Sequence, residues 1–473
     1  MSEPDIPTQR TISKKRLTGR NWYYERKVSV SMMIHQEIRK KFLDFFEKRG
    51  HKIVPSSSLV PDDPSVLFTT AGMQQFKKYY TNPEIAPVKN LASIQKCMRT
   101  SDIDKVGDES HLTFFEMLGN FSFGGYGKEE AIRYAHDFIT KEMGLKIDYV
   151  TVFEGWKSTG LWIIRPDEES RAVWKKLGFK DEQIRTGGFG DNFWGPTGDD
   201  GPCGPTTEIY ANGVEIWNIV FNEYYKSKYP ENNNDYKPLQ TKGIDTGMGL
   251  ERLAMVIQGG ENIFETDLFQ PIMNSIIEVL GNKPIEKVRL ISDHLRASVF
   301  LIADGITPGK DERNYIPRRL IRDAMTAHYL FIGSSLDKDF FVNPVNIIIG
   351  LYKNSYPYLI EKNTEIISKI REEIENYSKV LLLIGNISDL KKIYNNFNPK
   401  LSWPDQTGEI DLDGEALFNI RQSNGVNWTQ MKMISERAGY KLSDETLNQY
   451  NEAYYKHQEK SRAGALEKFK KTI

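Results

Sequence analysis
Apolar positions beginning at Ile34 recur at helical spacing, with Ile34, Ile38, Phe42, Phe45 and Phe46 on one face and Gly50 closing the run. This spacing predicts a helix. Short apolar runs follow, HKIVPSSSLV, VLFTTAG, HLTFFEML and VEIWNIVFNEYY, each bounded by Gly, Pro or Asp, and they read as strands. Long helical crossovers between them are scarce, so the pattern predicts a mostly antiparallel sheet, not a doubly wound one. Beyond about residue 260 the period changes to helical. Ile366, Ile370, Ile374, Tyr377 and Leu381 keep a three-to-four spacing, and the run from Asp444 to Lys471 is a second amphipathic helix with a basic end. The fold class expected is α+β, with a sheet and its flanking helices over 32–260 and a helical region over 261–473. Residues 1–31 carry seven Lys or Arg against three acids and no apolar period, which predicts a loosely ordered basic extension. The stretch YPENNNDY at 229–236 predicts an exposed loop.

A chain of 473 residues exceeds one ordinary core, so two or three folded units are expected. No run of about eighteen uncharged apolar residues occurs, so no membrane span is predicted. Two cysteines, Cys97 and Cys203, make neither a disulfide framework nor a zinc knuckle. A reducing compartment, the cytoplasm, is the expected location. The net charge of −1 leaves nucleic-acid binding open, because clustering and not total charge decides it.

Five stretches carry candidate chemistry. In KGIDTGMGLERLAMVI, residues 242–257, glycines separate Asp245 from Arg252 at the start of a helical run, where backbone is free to approach a ligand closely; the plain alternative is a glycine-rich turn. In residues 96–127 two strand-like arms hold Arg99 on the first and His111, Phe115 and Glu116 on the second. An antiparallel hairpin would set guanidinium, aromatic face and carboxylate on one wall, a combination that suits a nucleotide; the alternative is an ordinary hairpin with Phe115 in the core. GDNFWGPTGDDGPCGPTTEIY, residues 190–210, is too rich in Gly and Pro for regular structure, and it places Trp194 near Glu208 as an aromatic wall beside a carboxylate able to hold Mg2+ near phosphates. Asn218 is a polar amide inside the apolar run EIWNIVF and must satisfy its hydrogen bonds structurally or with a ligand. Lys310, Arg313, Arg318, Arg319 and Arg322 cluster near a helix start, as a solvated face or a phosphate-binding one. There is no GxxxxGK[ST] or GxGxxG, so a nucleotide site here is neither a P-loop nor a Rossmann site.

Read together, SSSLVPDDPSVLFTTAGMQQF, HLTFFEMLGNFSFG, DNFW with GDDGPCGP, EIWNIVF, DTGMGLERL and SDHLRASVFLIADG resemble the alanyl-tRNA synthetases, a class II family, in that family's order and over about Ile34 to Lys468. The resemblance implies an antiparallel six-stranded sheet flanked by helices, followed by an all-helical domain for the tRNA acceptor stem. It implies ATP, Mg2+, L-alanine and tRNA(Ala) as substrates and cofactor. ATP would be bound by Arg99, Asp102, His111, Phe115, Glu116, Glu208 and Arg252, with Glu208 near Mg2+ and the catalytic charge supplied by Arg99 and Arg252. Trp194, Asn218, Val220, Asp245 and Gly247 would form the alanine pocket, Gly247 leaving room for a small side chain only. Lys310, Arg313, Arg318, Arg322 and Gln422 would meet tRNA.

Departures from the family pattern sharpen these expectations. The loop RTSDIDKVG is shorter than the family's, lacks its GGKH and leaves Asp102 as the acid. Lys310 and Gln422 stand where the family has the Asn and Asp that read a G·U pair, and neither offers the same donors and acceptors, so dependence on that pair is expected to be relaxed or altered. The family's editing domain, with its zinc site, and its C-terminal domain are not matched, so either a naturally minimal enzyme or a truncated form of a longer one is expected, monomeric and without zinc. Two other readings compete: an alanine-activating paralogue serving a non-tRNA acceptor, and a non-catalytic tRNA-binding protein.

Overall fold
The structure, a computed structural model, describes residues 33–470 apart from 64, 159–160, 197, 229–235, 282–283, 311, 333–338, 384–386, 400–402 and 427. The expectations for the basic extension and for most of the 229–236 loop lie outside the described residues. The first predicted helix forms as His35–Glu47, burying Ile38, Phe42, Phe45 and Phe46. Ile34 departs from the predicted face. It sits just before the helix, 41% exposed, and its N–H donates to Glu37 Oε2 at 3.1 Å, which occupies one of the N–H groups that a helix start leaves unpaired. Gly50 ends the element with φ of +79°, a conformation that suits glycine.

Nine strands form the main sheet: β1 (Lys52–Ile53), β2 (Asn90–Met98), β3 (Phe114–Phe123), β4 (Tyr149–Phe153), β5 (Ile184–Gly187), β6 (Phe193–Trp194), β7 (Gly201–Ala211), β8 (Val214–Lys226) and β9 (Tyr236–Gly249). Their order is β1-β2-β3-β9-β8-β7-β4-β5, with β6 paired to β7. From β2 to β4 every neighbour is antiparallel, which is the expected six-stranded body. Each edge then adds one parallel strand, β1 on β2 and β5 on β4. Two of the predicted strands shrink. HKIVPSSSLV contributes only the two residues of β1, and VLFTTAG forms no strand because Thr69 makes isolated bonds, its N–H to Leu59 O at 2.9 Å and its carbonyl to Met98 N–H at 2.9 Å.

One face of this sheet packs on helices. Trp217 is fully buried among Phe42, Phe46 and Phe138, with ring centroids 5.7–6.4 Å away. The change of texture near residue 260 is not a break in packing. A single apolar core runs from Ile38 to Leu381, taking in the helices Ile285–Ala303, Glu312–Ile332, Val342–Tyr352 and Asn363–Leu383. Ile366, Ile370, Ile374, Tyr377 and Leu381 all lie in it, as their spacing predicts. A second core, from Leu390 to Tyr450, gathers the helices Ile387–Phe397, Gly414–Asn424, Trp428–Arg437 and the start of Asp444–Lys470. This last unit is not all-helical: Gly408–Ile410 and Tyr440–Leu442 pair as a small parallel sheet. Among the described residues no helix is long and apolar enough to cross a membrane.

Because Trp217 sits where the first helix meets β8, Trp217→Ala is expected to destabilise the fold by about 3–5 kcal/mol. Equilibrium urea unfolding followed by circular dichroism checks this.

Candidate active site
Register places the candidates in rows. Across β7, β8 and β9, Glu208 pairs with Asn218 and Asn218 with Gly247; one step along, Thr206 pairs with Val220 and Val220 with Asp245. Paired residues, and residues two apart on a strand, share a face, so all six point to one side. Gly249 pairs with Met117 and Cys97 with Phe115, which extends the same face onto β3 and β2. The opposite face is the one that carries Trp217 into the core.

At one end of this face the Arg99 guanidinium carbon lies 4.8 Å from the centre of the Phe115 ring. Arg252, in the first turn of Leu250–Gln258, donates from Nη1 to Glu215 Oε2 at 2.9 Å and to the Glu215 carbonyl at 3.3 Å. Glu208 is buried and accepts from Thr151 Oγ1 at 3.1 Å, Tyr210 Oη at 3.0 Å and Asn218 Nδ2 at 3.3 Å. Burial, and then the like charge of Glu215, push its carboxyl above the usual range. Asp102 and His111 serve their own turns: Asp102 stands 3.5 Å from Lys105 Nζ, and His111 N–H donates to Asp108 Oδ1 at 2.8 Å.

Glu116 corrects the one-wall expectation. Strand side chains alternate, so the residue after Phe115 points through the sheet to the helical side. There Glu116 is fully buried, ion-paired with Arg39, and accepts from Tyr356 Oη at 2.6 Å. It has no open surface to offer a nucleotide.

At the other end of the face Asp245 is 5% exposed, and among the described residues no Lys, Arg or His is paired with it. Burial pushes its carboxyl up to about 8. Val220 lies beside it, and Gly247 one row away admits Met117, whose Sδ would lie 2.9 Å from an added Cβ. Trp194 of β6 packs in the same cluster as Met117, Met73 and Phe76, which closes this end. The Asn218 amide is half used, since Nδ2 donates to Glu208 while Oδ1 is buried with no partner among the described residues.

The basic helix Glu312–Ile332 is largely committed to protein partners. Arg313 Nε donates to Leu67 O at 2.7 Å, while Arg322 Nε and Arg318 Nε lie 2.6 and 3.6 Å from Glu373 Oε1. Arg319 pairs with Asp104, in the turn Thr100–Lys105, and with Asp323. Lys310 and Gln422 are both exposed. Their segments adjoin, since Arg421 Nη2 donates to Tyr315 Oη at 3.4 Å and an added Cβ at Gly425 would lie 3.1 Å from Arg322 Nη1.

A family model described as tRNA synthetases class II (A) matches residues 37–473. The chain belongs to this family. It is 43% identical over 328 residues to the alanine–tRNA ligase of Rubrobacter xylanophilus, covering 62% of this chain and 36% of that protein. The Thermotoga maritima alanine–tRNA ligase is 38% identical over 463 residues, with 91% of this chain and 50% of that protein covered. For the Myxococcus xanthus alanine–tRNA ligase the values are 37% over 452 residues, 86% and 47%. The chain thus spans half or less of the length of these relatives.

For a class II synthetase, the site has two carboxylates that sequence reading did not both single out. Glu215 lies in the quoted run VEIWNIVFNEYY but attracts no notice there; its pairing with Arg252 and its field on Glu208 appear only in three dimensions. Met117 was legible by period two from Phe115. Glu208 lies in the like field of Glu215, whose own cation is Arg252, and among the described residues no cation is shared by the two carboxylates, which fits a divalent ion. Among the described residues no third His, Cys, Asp or Glu completes a metal cluster, so such an ion would take its other ligands from substrate and water, as Mg2+ does.

Asp245 has a pH signature. Its folded-state carboxyl titrates near 8 against an ordinary 3.8, so its contribution to stability falls as pH rises through that window. Asp245→Asn removes the burden, and the variant is expected to be more stable than wild type by about 2–5 kcal/mol at pH 8.5, the gap closing toward pH 4. Urea titrations at a series of pH values read this directly.

Proposed function
We propose that this chain activates L-alanine with ATP and transfers it to the 3′ end of tRNA(Ala). One observation carries the reading: a buried carboxyl with no paired cation among the described residues, Asp245, shares a sheet face with Asn218 and with the Arg99–Phe115 pair. An amino acid placed there gives its ammonium to Asp245, and its carboxylate accepts from Asn218 Nδ2 once that group leaves Glu208, directed along the face toward the nucleotide. Phe115 and Arg252 take adenine between them, with Arg252 leaving Glu215, and Arg99 meets the α-phosphate.

The alanine carboxylate oxygen attacks the α-phosphorus, the bond to the β-phosphate bridging oxygen breaks, and pyrophosphate leaves. A terminal ribose hydroxyl of tRNA then attacks the acyl carbon, the bond from that carbon to the phosphate oxygen breaks, and the hydroxyl proton passes to the phosphate of the departing AMP. Charge on phosphorus is the main demand in the first step, and Arg99 and Arg252 supply preorganised cations. Glu208 and Glu215 would hold Mg2+, which when bound would supply further positive charge at the phosphates.

Gly247 supports alanine as the substrate. A side chain there would press on Met117, whose Sδ, Cε and Cγ are the atoms nearest an added Cβ. Alanine-dependent ATP–pyrophosphate exchange and charging of total tRNA test the function. Wild type is expected to do both; exchange without charging would move the adenylate to another acceptor, and absence of exchange sinks the reading. Gly247→Val is expected to lose at least about a hundredfold in exchange while remaining folded, its cooperative melt lowered by only the few degrees that about 1–3 kcal/mol of overpacking against Met117 costs.

The exposed Lys310 and Gln422 sit on adjoining segments and support an altered reading of the acceptor stem. Lys donates but does not accept, and Gln is neutral and longer than Asp. Transcripts carrying G·U, G·C and A·U at the recognised pair are expected to be charged within about tenfold of one another, a spread of roughly 1.4 kcal/mol. Complete loss of charging on G·C contradicts this.

A further inference from the structure
The residues that flank the nucleotide end of the face are held from behind by one helix, Ile285–Ala303. Asp293 Oδ1 accepts from Thr113 N–H at 3.0 Å. The Arg296 guanidinium, fully buried, donates to the Phe114 carbonyl, to Glu251 Oε1 at 2.9 Å and to Tyr352 Oη at 3.0 Å. Glu251 Oε2 accepts from Glu116 N–H at 3.2 Å. The backbone is therefore gripped at 113, 114 and 116, on both sides of Phe115, while the carboxylate that grips 116 belongs to the residue next to Arg252.

We propose that the buried Arg296–Glu251 pair is a positioning device that fixes the gap between Phe115 and Arg252, and so sets affinity for the adenine ring of ATP. The inference rests on the nucleotide site proposed above. Two arms of the clamp come from different elements, β3 and the helix Leu250–Gln258, and are separated by 137 positions along the chain, from 115 to 252. Nothing local fixes their separation; a rigid two-sided connector must. Arg296 suits this because its planar fork reaches a carbonyl, a carboxylate and a hydroxyl at once, and it is stacked between Phe269 and Phe114, 4.3 and 5.2 Å from their ring centres. Lys would retain the charge but not the several fixed directions. Because Arg296 lies in the helical part of the chain, that part contributes to the nucleotide site as well as to any contact with tRNA.

The test is Arg296→Lys, with calorimetric titration of ATP and of alanine separately and a thermal melt of each protein. The expected result is ATP affinity at least tenfold weaker, alanine affinity within twofold of wild type and a cooperative melt. Equal loss of both affinities, or no loss of ATP affinity, overturns the proposal, because a merely structural pair would weaken both pockets or neither. Should Arg296→Lys fail to fold, Tyr352→Phe removes one of the three acceptors and is expected to weaken ATP binding about threefold with alanine unchanged; an unchanged ATP affinity overturns the proposal there. ATP titration of the wild type needs no amino acid. Wild type that binds ATP but shows no alanine-dependent exchange overturns the alanine reading alone, and absence of ATP binding overturns both.

Discussion
Adjacent side chains on a strand leave opposite faces of the sheet, and this alternation organises the whole molecule. Phe115 and Glu116 are neighbours in sequence, yet one stands beside Arg99 and the other is sealed against Arg39 and Tyr356. Asn218 opens onto the candidate site while Trp217 closes the core behind it. A one-residue slip in register would exchange these roles along an entire strand. The site is therefore as precise as the packing on its reverse, where aromatic rings leave little freedom to slide.

The two faces also differ in how charge is handled. On the reverse, Arg39 with Glu116 and Arg296 with Glu251 are paired and buried. On the front, among the described residues, Asp245 has no cation and the Asn218 carbonyl oxygen no donor, and Glu208 lies in the field of Glu215. Buried polar groups left this way cost stability in the free protein and favour ligands that supply the missing partners. An ammonium group, which can donate to both Asp245 and Asn218 Oδ1, and a divalent cation beside Glu208 are complementary to that set.

Much of this was legible in the chain. The helix at 35–47, the antiparallel body and the amphipathic run ending at Leu381 follow from apolar spacing, and the ordered motifs brought Asp245, Asn218, Phe115 and Arg252 to notice. Other features had no local signal. Assigning Glu116 to the same wall as Phe115 overlooked the period of two that the same strand prediction implied. Glu215 is an ordinary acid in a strand until Arg252, 37 positions away, reaches it. The basic residues after Lys310 look like an open phosphate surface, but Arg318 and Arg322 already share Glu373.

The sequence by itself indicated the first helix, the core-facing runs of β3 and β8 and the later amphipathic helices, and which residue types are available for chemistry, because these depend on neighbours within a few positions; it misjudged Gly201–Ala211, whose Gly and Pro content reads as irregular but which forms the central strand β7 between two paired neighbours. Tertiary structure alone decided which carboxylates keep a cation and which do not, and that helix Ile285–Ala303 grips the strand beside Phe115. It also decided that the core runs unbroken past residue 260 to Leu381. Those outcomes depend on groups far apart in the chain meeting in a medium of low dielectric, where a partner at hydrogen-bond distance changes the state of a charge and its absence is felt.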